Sequence, residues 1–396
     1  MFSFEKFYLF IHSATEIGMV ASGVVVDIFL WEQTHSLTPI LIFNLGIFIS
    51  WFVTSLFAPV ITEITGLKIA HLASLILNIV FLALLYYLPE LTYEPLLLGF
   101  AKGIQLGFYS PVSSVITSKI GSGQLQYLAS RLAAMSQLVE MIIPPLMAVF
   151  IYQTGSYQTM LVVGVAASVF AGLLSLLCSY PTTDRKFSFS ALLPVNDTNP
   201  EKTLLVPVLF LDGVRQGMFY SLLGIIILYF TNDLMLWGIF IFALETLSLV
   251  LDWIYPRIFS ESDSLLTVGG ASSLFVVASI LFISYFNLTG VVILSVAYKI
   301  LTVVYSINLE TSVSRIIELD ISRDDLSAEY AGFQDIYRSL GRIVPILALL
   351  YLNASLDNPF IIVGAIAVVG MVPFIMTNIL SRSYVLKHWR DTIEIA

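Results

Sequence analysis

The residues best suited to chemistry in this sequence are ionisable side chains inside long apolar segments. Glu16, Glu140 and Glu245 lie near the middle of such segments, and Lys102 and Lys299 lie at a comparable depth in others. A charge inside an apolar helix costs about 2.5–3.5 kcal/mol on the more lenient scales, so it normally faces a polar interior or an opposite charge. A carboxyl group in a low-dielectric medium also binds its proton more tightly. We therefore expect the three acids to couple protons, with interhelical hydrogen bonds as the alternative. We expect the two lysines to contact an anionic group, unless each is neutralised by a nearby acid, for which Glu140 and Glu245 are the candidates.

The segments that carry these residues are long enough to cross a membrane. Of the 396 residues, 58% are hydrophobic and 11% are charged, against about 25% charged in an ordinary soluble domain. A bilayer core requires about 20 apolar helical residues, and such stretches recur along the whole chain. The sequence predicts an all-α membrane protein whose twelve spans cover 5–31, 38–59, 67–88, 94–118, 125–152, 158–180, 203–231, 235–258, 265–286, 289–316, 328–352 and 359–381.

One connection is longer than the others and divides the chain. It predicts a six-helix bundle over 1–180, a central loop over 181–202, a second six-helix bundle over 203–381 and a tail over 382–396. Twelve of the 18 Lys and Arg residues lie in the tails, in loops or at span ends on the side of the N-terminus. Because cytoplasmic loops are enriched in Lys and Arg, we expect a multi-pass protein of the cytoplasmic membrane with both termini cytoplasmic.

The two predicted bundles share a weak internal repeat. A polar stripe on span 4 recurs on span 10, each residue 197 positions later. The two stripes are Lys102, Gln105, Tyr109 and Ser113, and Lys299, Thr302, Ser306 and Glu310. Offsets of three, seven and eleven place each stripe on one helical face. Duplicated halves with a substrate site near the membrane midplane are a common plan among transporters.

Taken with these features, the chain resembles the major facilitator superfamily over nearly its whole length. The resemblance includes the loop between spans 2 and 3, where Pro59 to Lys68 reads PVITEITGLK, with Gly66 and Lys68 at motif positions and Glu63 in place of the motif's aspartate. The two arginines of that motif are missing, and the span 5 sequence SQLVEMIIPP has prolines without glycines. The resemblance implies two pseudo-symmetric six-helix bundles and leaves the subfamily open.

The resemblance also implies that spans 1, 4, 7 and 10 line a central cavity. On that basis we expect Glu16 and Arg215 to face each other across it, with Asp212 one turn from the arginine; a fixed ion pair, or an Asp212–Arg215 pair along one helix, is the alternative. We expect Gln105, Tyr109, Arg215 and Thr302 to join the lysines in binding substrate, and Asp212 to join the three glutamates in coupling protons. A second group of charges is expected to form a cytoplasmic gate or clamp and comprises Asp252, Glu310, Asp335, Arg338 and Arg342.

These observations favour a secondary transporter that works by alternating access. We expect a monomer that moves a small organic solute with an anionic or zwitterionic group, coupled to protons. The alternatives are a proton-coupled exporter of drugs or other amphipathic compounds, a lipid transporter, and a non-transporting sensor or assembly factor. Basic residues are too few and scattered for nucleic-acid binding. We expect no enzyme, cofactor or metal site, because the sequence contains no catalytic or phosphate-binding motif and no metal-ligand spacing.

Overall fold

The computed structural model describes residues 4–86, 94–120, 125–180, 200–220, 222–258, 264–324, 327–354, 356 and 359–383. The predicted tail from 384 onward and most of the predicted central loop, 181–199, lie outside these residues, and so does the side chain of Glu310. Within the described residues every regular element is a helix. The helices are α1 Phe4–Thr34, α2 Leu37–Thr65, α3 Leu67–Tyr86, α4 Pro95–Ile120, α5 Leu125–Thr154, α6 Gln158–Leu177, α7 Pro200–Phe219, α8 Leu222–Thr231, α9 Leu234–Ile258, α10 Ser264–Ser284, α11 Leu288–Asp324, α12 Ser327–Tyr351, α13 Pro359–Gly370 and α14 Val372–Leu380.

The helices match the predicted spans, except that two spans are divided. The seventh span comprises α7 and α8, and the twelfth comprises α13 and α14. The break between α13 and α14 lies at Met371, two residues before Pro373. Because proline lacks an N–H group and its ring clashes with the preceding turn, a proline inside a helix interrupts the hydrogen-bond ladder.

Ten spans in the described part of the chain are long and apolar enough to cross a membrane, so the chain is a multi-pass membrane protein. Helices α4 and α12 are not among the ten. Helix α4 carries Lys102 and Gln105, and α12 carries Asp335, Arg338 and Arg342. The two helices that fall short are therefore ones that carry predicted site residues.

The contacts group the chain into two compact units. Unit 1 comprises Met1–Ser188, Thr231–Glu245 and Ser327–Ile336. Unit 2 comprises Phe189–Phe230, Thr246–Leu326 and Tyr337–Ala396.

Small residues bring α2 and α4 of unit 1 into backbone contact. Gly99, Gly103 and Gly107 are spaced four residues apart on α4, so they lie on one face. A Cβ atom at Gly99 would meet backbone atoms of Phe43 and Gly46, and one at Gly103 would meet the backbone of Ile47 and the side chain of Ser50. Membrane helices pack closely along such stripes because hydrocarbon provides no hydrophobic drive for association. The contact fixes the rotation of α4, and with it the direction of Lys102 and Gln105.

Candidate functional site

Asp212 is the centre of a buried polar cluster in unit 2. It is 1% exposed, and its two carboxylate oxygens accept four hydrogen bonds. Arg215 donates through Nη2 over 3.1 Å, Gln216 through Nε2 over 2.8 Å, Tyr305 through its hydroxyl over 3.2 Å, and Arg338 through Nε over 2.9 Å. The two partners on α7 lie three and four residues from Asp212, and this helical spacing places them beside it.

Two further arginine contacts extend this cluster. The Arg215 guanidinium lies over the Tyr305 ring, 4.8 Å from its centroid, in the range of a cation–π interaction. The Nε atom of Arg215 is buried and has no hydrogen-bond partner among the described residues. Arg342 donates through Nε to the Gln216 side-chain oxygen over 3.0 Å. Two guanidinium groups thus hydrogen-bond to the Asp212 carboxylate, a third hydrogen-bonds to Gln216 beside it, and the Nε donor of Arg215 has no partner among the described residues.

Glycine residues make this arrangement possible because they let α7 and α12 approach along their backbones. A Cβ atom at Gly213 would collide with the backbone of Arg338, and one at Gly217 with the backbone of Arg342. From the other helix, a Cβ at Gly341 would collide with the backbone of Phe210 and with Gly213. The backbones of both arginines therefore contact α7. This close approach allows the Arg338 side chain to reach Asp212 and the Arg342 side chain to reach Gln216. We call Asp212, Arg215, Gln216, Tyr305, Arg338 and Arg342 the arginine cluster.

Unit 1 contains a second buried polar site around Lys102. This lysine is 1% exposed and donates through Nζ to the Ser22 hydroxyl over 2.8 Å. Its ammonium group lies 5.3 Å from the centroid of the Phe81 ring and interacts electrostatically with Glu16. Of the acids proposed to neutralise the lysines, Glu140 is exposed, and the carboxylate that interacts with Lys102 is Glu16 instead.

His12 links Glu16 to helix α4. Its Nε2 atom lies 3.9 Å from Glu16 Oε1 and 2.9 Å from the Ser136 hydroxyl. Its Nδ1 atom lies 2.8 Å from the Tyr109 hydroxyl, and the two rings are nearly parallel at an interplanar angle of 15°. Glu16 also interacts electrostatically with Glu140. The predicted residues Glu16, Lys102 and Tyr109 are therefore parts of one polar network, which also contains His12.

Gln105 lies one turn from both Lys102 and Tyr109 and has an unusual environment. It is 0% exposed, and neither atom of its amide group has a hydrogen-bond partner among the described residues. An unsatisfied buried amide costs free energy, so this side chain requires an explanation. A ligand that both donates and accepts hydrogen bonds would provide one.

The remaining predicted residues lie in less defined environments. Lys299, Thr302, Glu245 and Asp252 are half-buried, whereas Asp335 is 5% exposed. The Thr302 hydroxyl has no hydrogen-bond partner among the described residues. None of the described His, Cys, Asp and Glu residues form a group that could hold a metal ion.

Sequence reasoning missed several members of these two sites. Tyr305 and Gln216 contact Asp212, and Ser22 contacts Lys102. Gln216 could have been found, because it lies one turn from Asp212 on the same helix face. The partners on other helices could not, since spacing along one helix carries no information about the helix that faces it.

Comparison with known proteins is consistent with this architecture. No family model matches the chain. The uncharacterized protein YqgE of Bacillus subtilis (strain 168) is 23% identical over 379 residues, which span 92% of this chain and 86% of the relative.

Solved structures of transporters match the chain nearly end to end. A D-xylose-proton symporter has a TM-score of 0.67 at 12% identity and covers 95% of this chain and 97% of its own. The E. coli fucose:proton symporter FucP has a TM-score of 0.65 at 14% identity over 96% and 99%. The human organic anion transporter MFSD10 has a TM-score of 0.62 at 12% identity over 94% and 99%. FucP is a major facilitator superfamily transporter, and this chain therefore has the fold of the major facilitator superfamily transporters.

Proposed function

We propose that this protein is a proton-coupled secondary transporter of a small organic solute that carries a carboxylate or phosphate group, alone or in a zwitterion. The observation that carries the proposal is the arginine cluster, in which Arg215 and Arg338 hydrogen-bond to the buried Asp212 carboxylate and Arg215 keeps a buried Nε donor without a partner among the described residues. Guanidinium groups bind carboxylate and phosphate oxygens in a fixed forked geometry.

In this proposal the residues of the arginine cluster have different roles. Arg215, with its unused buried Nε donor, contacts the anionic group of the solute. Arg338 and Arg342 add positive charge, and Asp212 acts as the counter-ion that holds Arg215 and Arg338 in place.

Unit 1 contributes the proton-coupling residues and polar contacts in the same proposal. Glu16 accepts the coupled proton, with Glu140 and Glu245 as further candidates, while Lys102, Gln105 and Tyr109 bind polar groups of the solute. Lys299 and Thr302 are proposed to contact the solute from α11. Two of the structural neighbours are sugar–proton symporters and one is an organic anion transporter, which supports both proton coupling and an anionic cargo. We place the protein in the cytoplasmic membrane as a monomer with both termini cytoplasmic, working by alternating access.

A ligand screen by thermal stabilisation tests the anionic group directly. The purified full chain is heated with matched sets of small molecules that share one skeleton and carry a carboxylate, a phosphate, an uncharged amide or a quaternary ammonium group. We expect stabilisation by one or more anionic members and its loss in Arg215→Gln and Arg338→Gln. Arg257→Gln is the matched control, since Arg257 is exposed and stacks on Trp253, 3.6 Å from the ring centroid.

Transport of the stabilising anion is then measured in proteoliposomes with and without a pH gradient. We expect the gradient to drive accumulation and Glu16→Gln to abolish the gradient dependence. Equal stabilisation by the uncharged or cationic partner would contradict the anionic assignment and favour an amphipath exporter. A solute flux that is the same with and without the pH gradient would contradict proton coupling.

A further inference from the structure

Two stripes of polar side chains are connected across α1 and α4 of unit 1. On α1, Tyr8, His12 and Glu16 are spaced four residues apart, so they lie on one helix face about 12 Å long at 1.5 Å per residue. On α4, Tyr109 and Ser113 follow the same spacing. Such a stripe on each of two helices is unusual in a membrane protein, because polar groups inside hydrocarbon are costly.

The two stripes are joined by hydrogen bonds at successive levels. His12 Nδ1 lies 2.8 Å from the Tyr109 hydroxyl, and the Tyr8 hydroxyl lies 2.9 Å from the Ser113 hydroxyl. Ser113 follows Tyr109 by four residues on α4, so the two side chains are neighbours on one helix face, and a hydroxyl hydrogen can rotate between acceptors. At the Glu16 end of the stripes, His12 Nε2 lies 3.9 Å from the carboxylate.

The Tyr8 end of the stripes reaches a second histidine and a partly exposed tyrosine. The ring of His71 lies 6.1 Å from the ring of Tyr8, and its Nδ1 atom lies 2.6 Å from the Tyr180 hydroxyl. The Nε2 atom of His71 is buried without a hydrogen-bond partner among the described residues. Tyr180 is half-buried and hydrogen-bonds to Ser175 over 2.7 Å, so the path has a contact with the surface of the unit.

We propose that Tyr8, Ser113, Tyr109 and His12 form a proton path that connects the surface near Tyr180 with Glu16. This inference rests on the proposed function, in which Glu16 accepts the coupled proton. Tyr8 and Tyr109 are 0% and 6% exposed and His12 is 8% exposed, so the side chains themselves replace a water-filled route. Each of them can donate one proton and accept another.

The proton movement along this path balances at every group. In the His12 tautomer with its proton on Nε2, that proton passes to the Glu16 carboxylate after a small side-chain rotation closes the 3.9 Å gap. Nδ1 then takes the Tyr109 hydroxyl proton, Tyr109 takes one from Ser113, and Ser113 takes one from Tyr8. Tyr8 regains a proton from the His71 and Tyr180 side, whose nearer ring is 6.1 Å away, so one proton enters and one reaches Glu16. The path then has its starting charge with His12 protonated on Nδ1, and His12 must return to the Nε2 tautomer before the next transfer.

Two ionisable groups outside the path influence Glu16 and belong to the same site. Lys102 on α4 and Glu140 on α5 both interact with it electrostatically. An opposite charge favours the ionised form of a carboxyl group and a like charge favours the protonated form. The path controls the rate at which Glu16 exchanges its proton, whereas these neighbours control the equilibrium.

The experiment uses the proton alone as its probe and the full chain in liposomes. Infrared difference spectra after a rapid pH drop follow the band of the protonated carboxyl group, and Glu16→Gln identifies the contribution of Glu16. The rate and the final amplitude of that band are compared for the parent, Tyr8→Phe, Tyr109→Phe and Ser113→Ala. Tyr152→Phe is the control, since Tyr152 is 71% exposed on α5. Melting temperatures verify that each variant is folded.

We expect the three path variants to slow the appearance of the band by about a hundredfold, the lower end of what a positioned proton donor contributes, with its final amplitude unchanged. Unchanged rates in all three variants would overturn the path. A fall in amplitude at an unchanged rate would also overturn it, because the residues would then act on the equilibrium of Glu16 and not on proton delivery. An infrared band that is unchanged in Glu16→Gln would overturn the assignment of Glu16 as acceptor.

This test is separate from the test of the proposed function. If no anionic ligand stabilised the protein, the proposal of an anionic solute would be rejected, and the infrared test of the proton path would be unaffected. Normal gradient-driven flux with parent-like infrared kinetics in all three path variants would retain the transporter and reject the path.

Discussion

Arg338 of α12 and Asp212 of α7 form an ion pair of 2.9 Å between two helices whose backbones are in contact. The same carboxylate also pairs with Arg215, one turn along its own helix. Asp212 is therefore shared between a local partner, which α7 could provide by itself, and a distant partner, which requires α12. The packing of α7 against α12 therefore determines whether the Arg338 side chain can reach the Asp212 carboxylate.

The first prediction concerns the loss of this shared carboxylate. Asp212→Asn leaves the buried Arg215 without its counter-ion and removes one partner of Arg338, and breaking a buried pair in this way costs about 3–5 kcal/mol. We expect a clear fall in the melting temperature of the purified protein. Asp212→Asn combined with Arg215→Gln removes the buried unpaired charge and should recover part of the loss. If the single variant melts like the parent, Asp212 does not compensate the arginines.

The second prediction concerns the glycine contact that positions Arg338. Gly213→Ala places a methyl group against the backbone of Arg338, so α12 must shift and the ion pair to Asp212 must lengthen. We expect a lower melting temperature and loss of stabilisation by anions. Gly224→Ala is the matched control on α8, because nothing lies within 4 Å of the added methyl group; alanine also favours a helix by about 1 kcal/mol over glycine.

Equal behaviour of the two glycine variants would contradict this account. If Gly213→Ala were as stable as Gly224→Ala and kept the response to anions, the close approach of α7 and α12 would not be required for the arginine cluster.

Much of the fold was predictable from the sequence because hydropathy and helix length are local properties. Ten of the twelve predicted spans are, among the described residues, long and apolar enough to cross a membrane. Helices α4 and α12 are less apolar because they carry the polar side chains of the candidate sites. The sequence analysis predicts both as spans from their apolar stretches, and the internal repeat supports the assignment of α4.

The sites were predictable only where two members share a helix. The spacing of Asp212 and Arg215 predicted their pair along α7, which the structure contains as the stated alternative to a pair with Glu16. The contact of Asp212 with Arg338 joins residues 126 positions apart, and no local pattern specifies which face of α12 is turned to α7. Nothing in the sequence around His12 distinguishes it from a packed or hydrogen-bonded histidine, and only its contacts with Tyr109 and Ser136 reveal its position in a network.

The third prediction separates a binding role of Gln105 from a structural one. Its buried amide has no hydrogen-bond partner among the described residues, a condition that costs about 1–3 kcal/mol. Gln105→Leu removes the unsatisfied group at similar volume, so we expect an unchanged or higher melting temperature together with weaker stabilisation by the solute found in the ligand screen. A fall in stability would instead show that the amide supports the fold.

The fourth prediction divides the two contacts of Tyr305. Its hydroxyl donates to Asp212 over 3.2 Å, with Met376 Sδ as an alternative acceptor at the same distance, and its ring lies under Arg215. Tyr305→Phe removes the hydroxyl and keeps the ring, which should cost about 1 kcal/mol of stability. Tyr305→Leu also removes the cation–π contact, worth about 2 kcal/mol when desolvated, and leaves Arg215 less constrained.

The measurement compares melting temperatures with and without the stabilising anion for both variants. We expect Tyr305→Phe to keep most of the shift caused by the anion and Tyr305→Leu to lose it, because the ring holds the guanidinium in position for binding. Tyr285→Phe provides the control, since this tyrosine is 57% exposed at the end of α10. Equal loss in the phenylalanine and leucine variants would assign the effect to the hydroxyl and to Asp212, and would remove the ring from the account of how Arg215 is oriented.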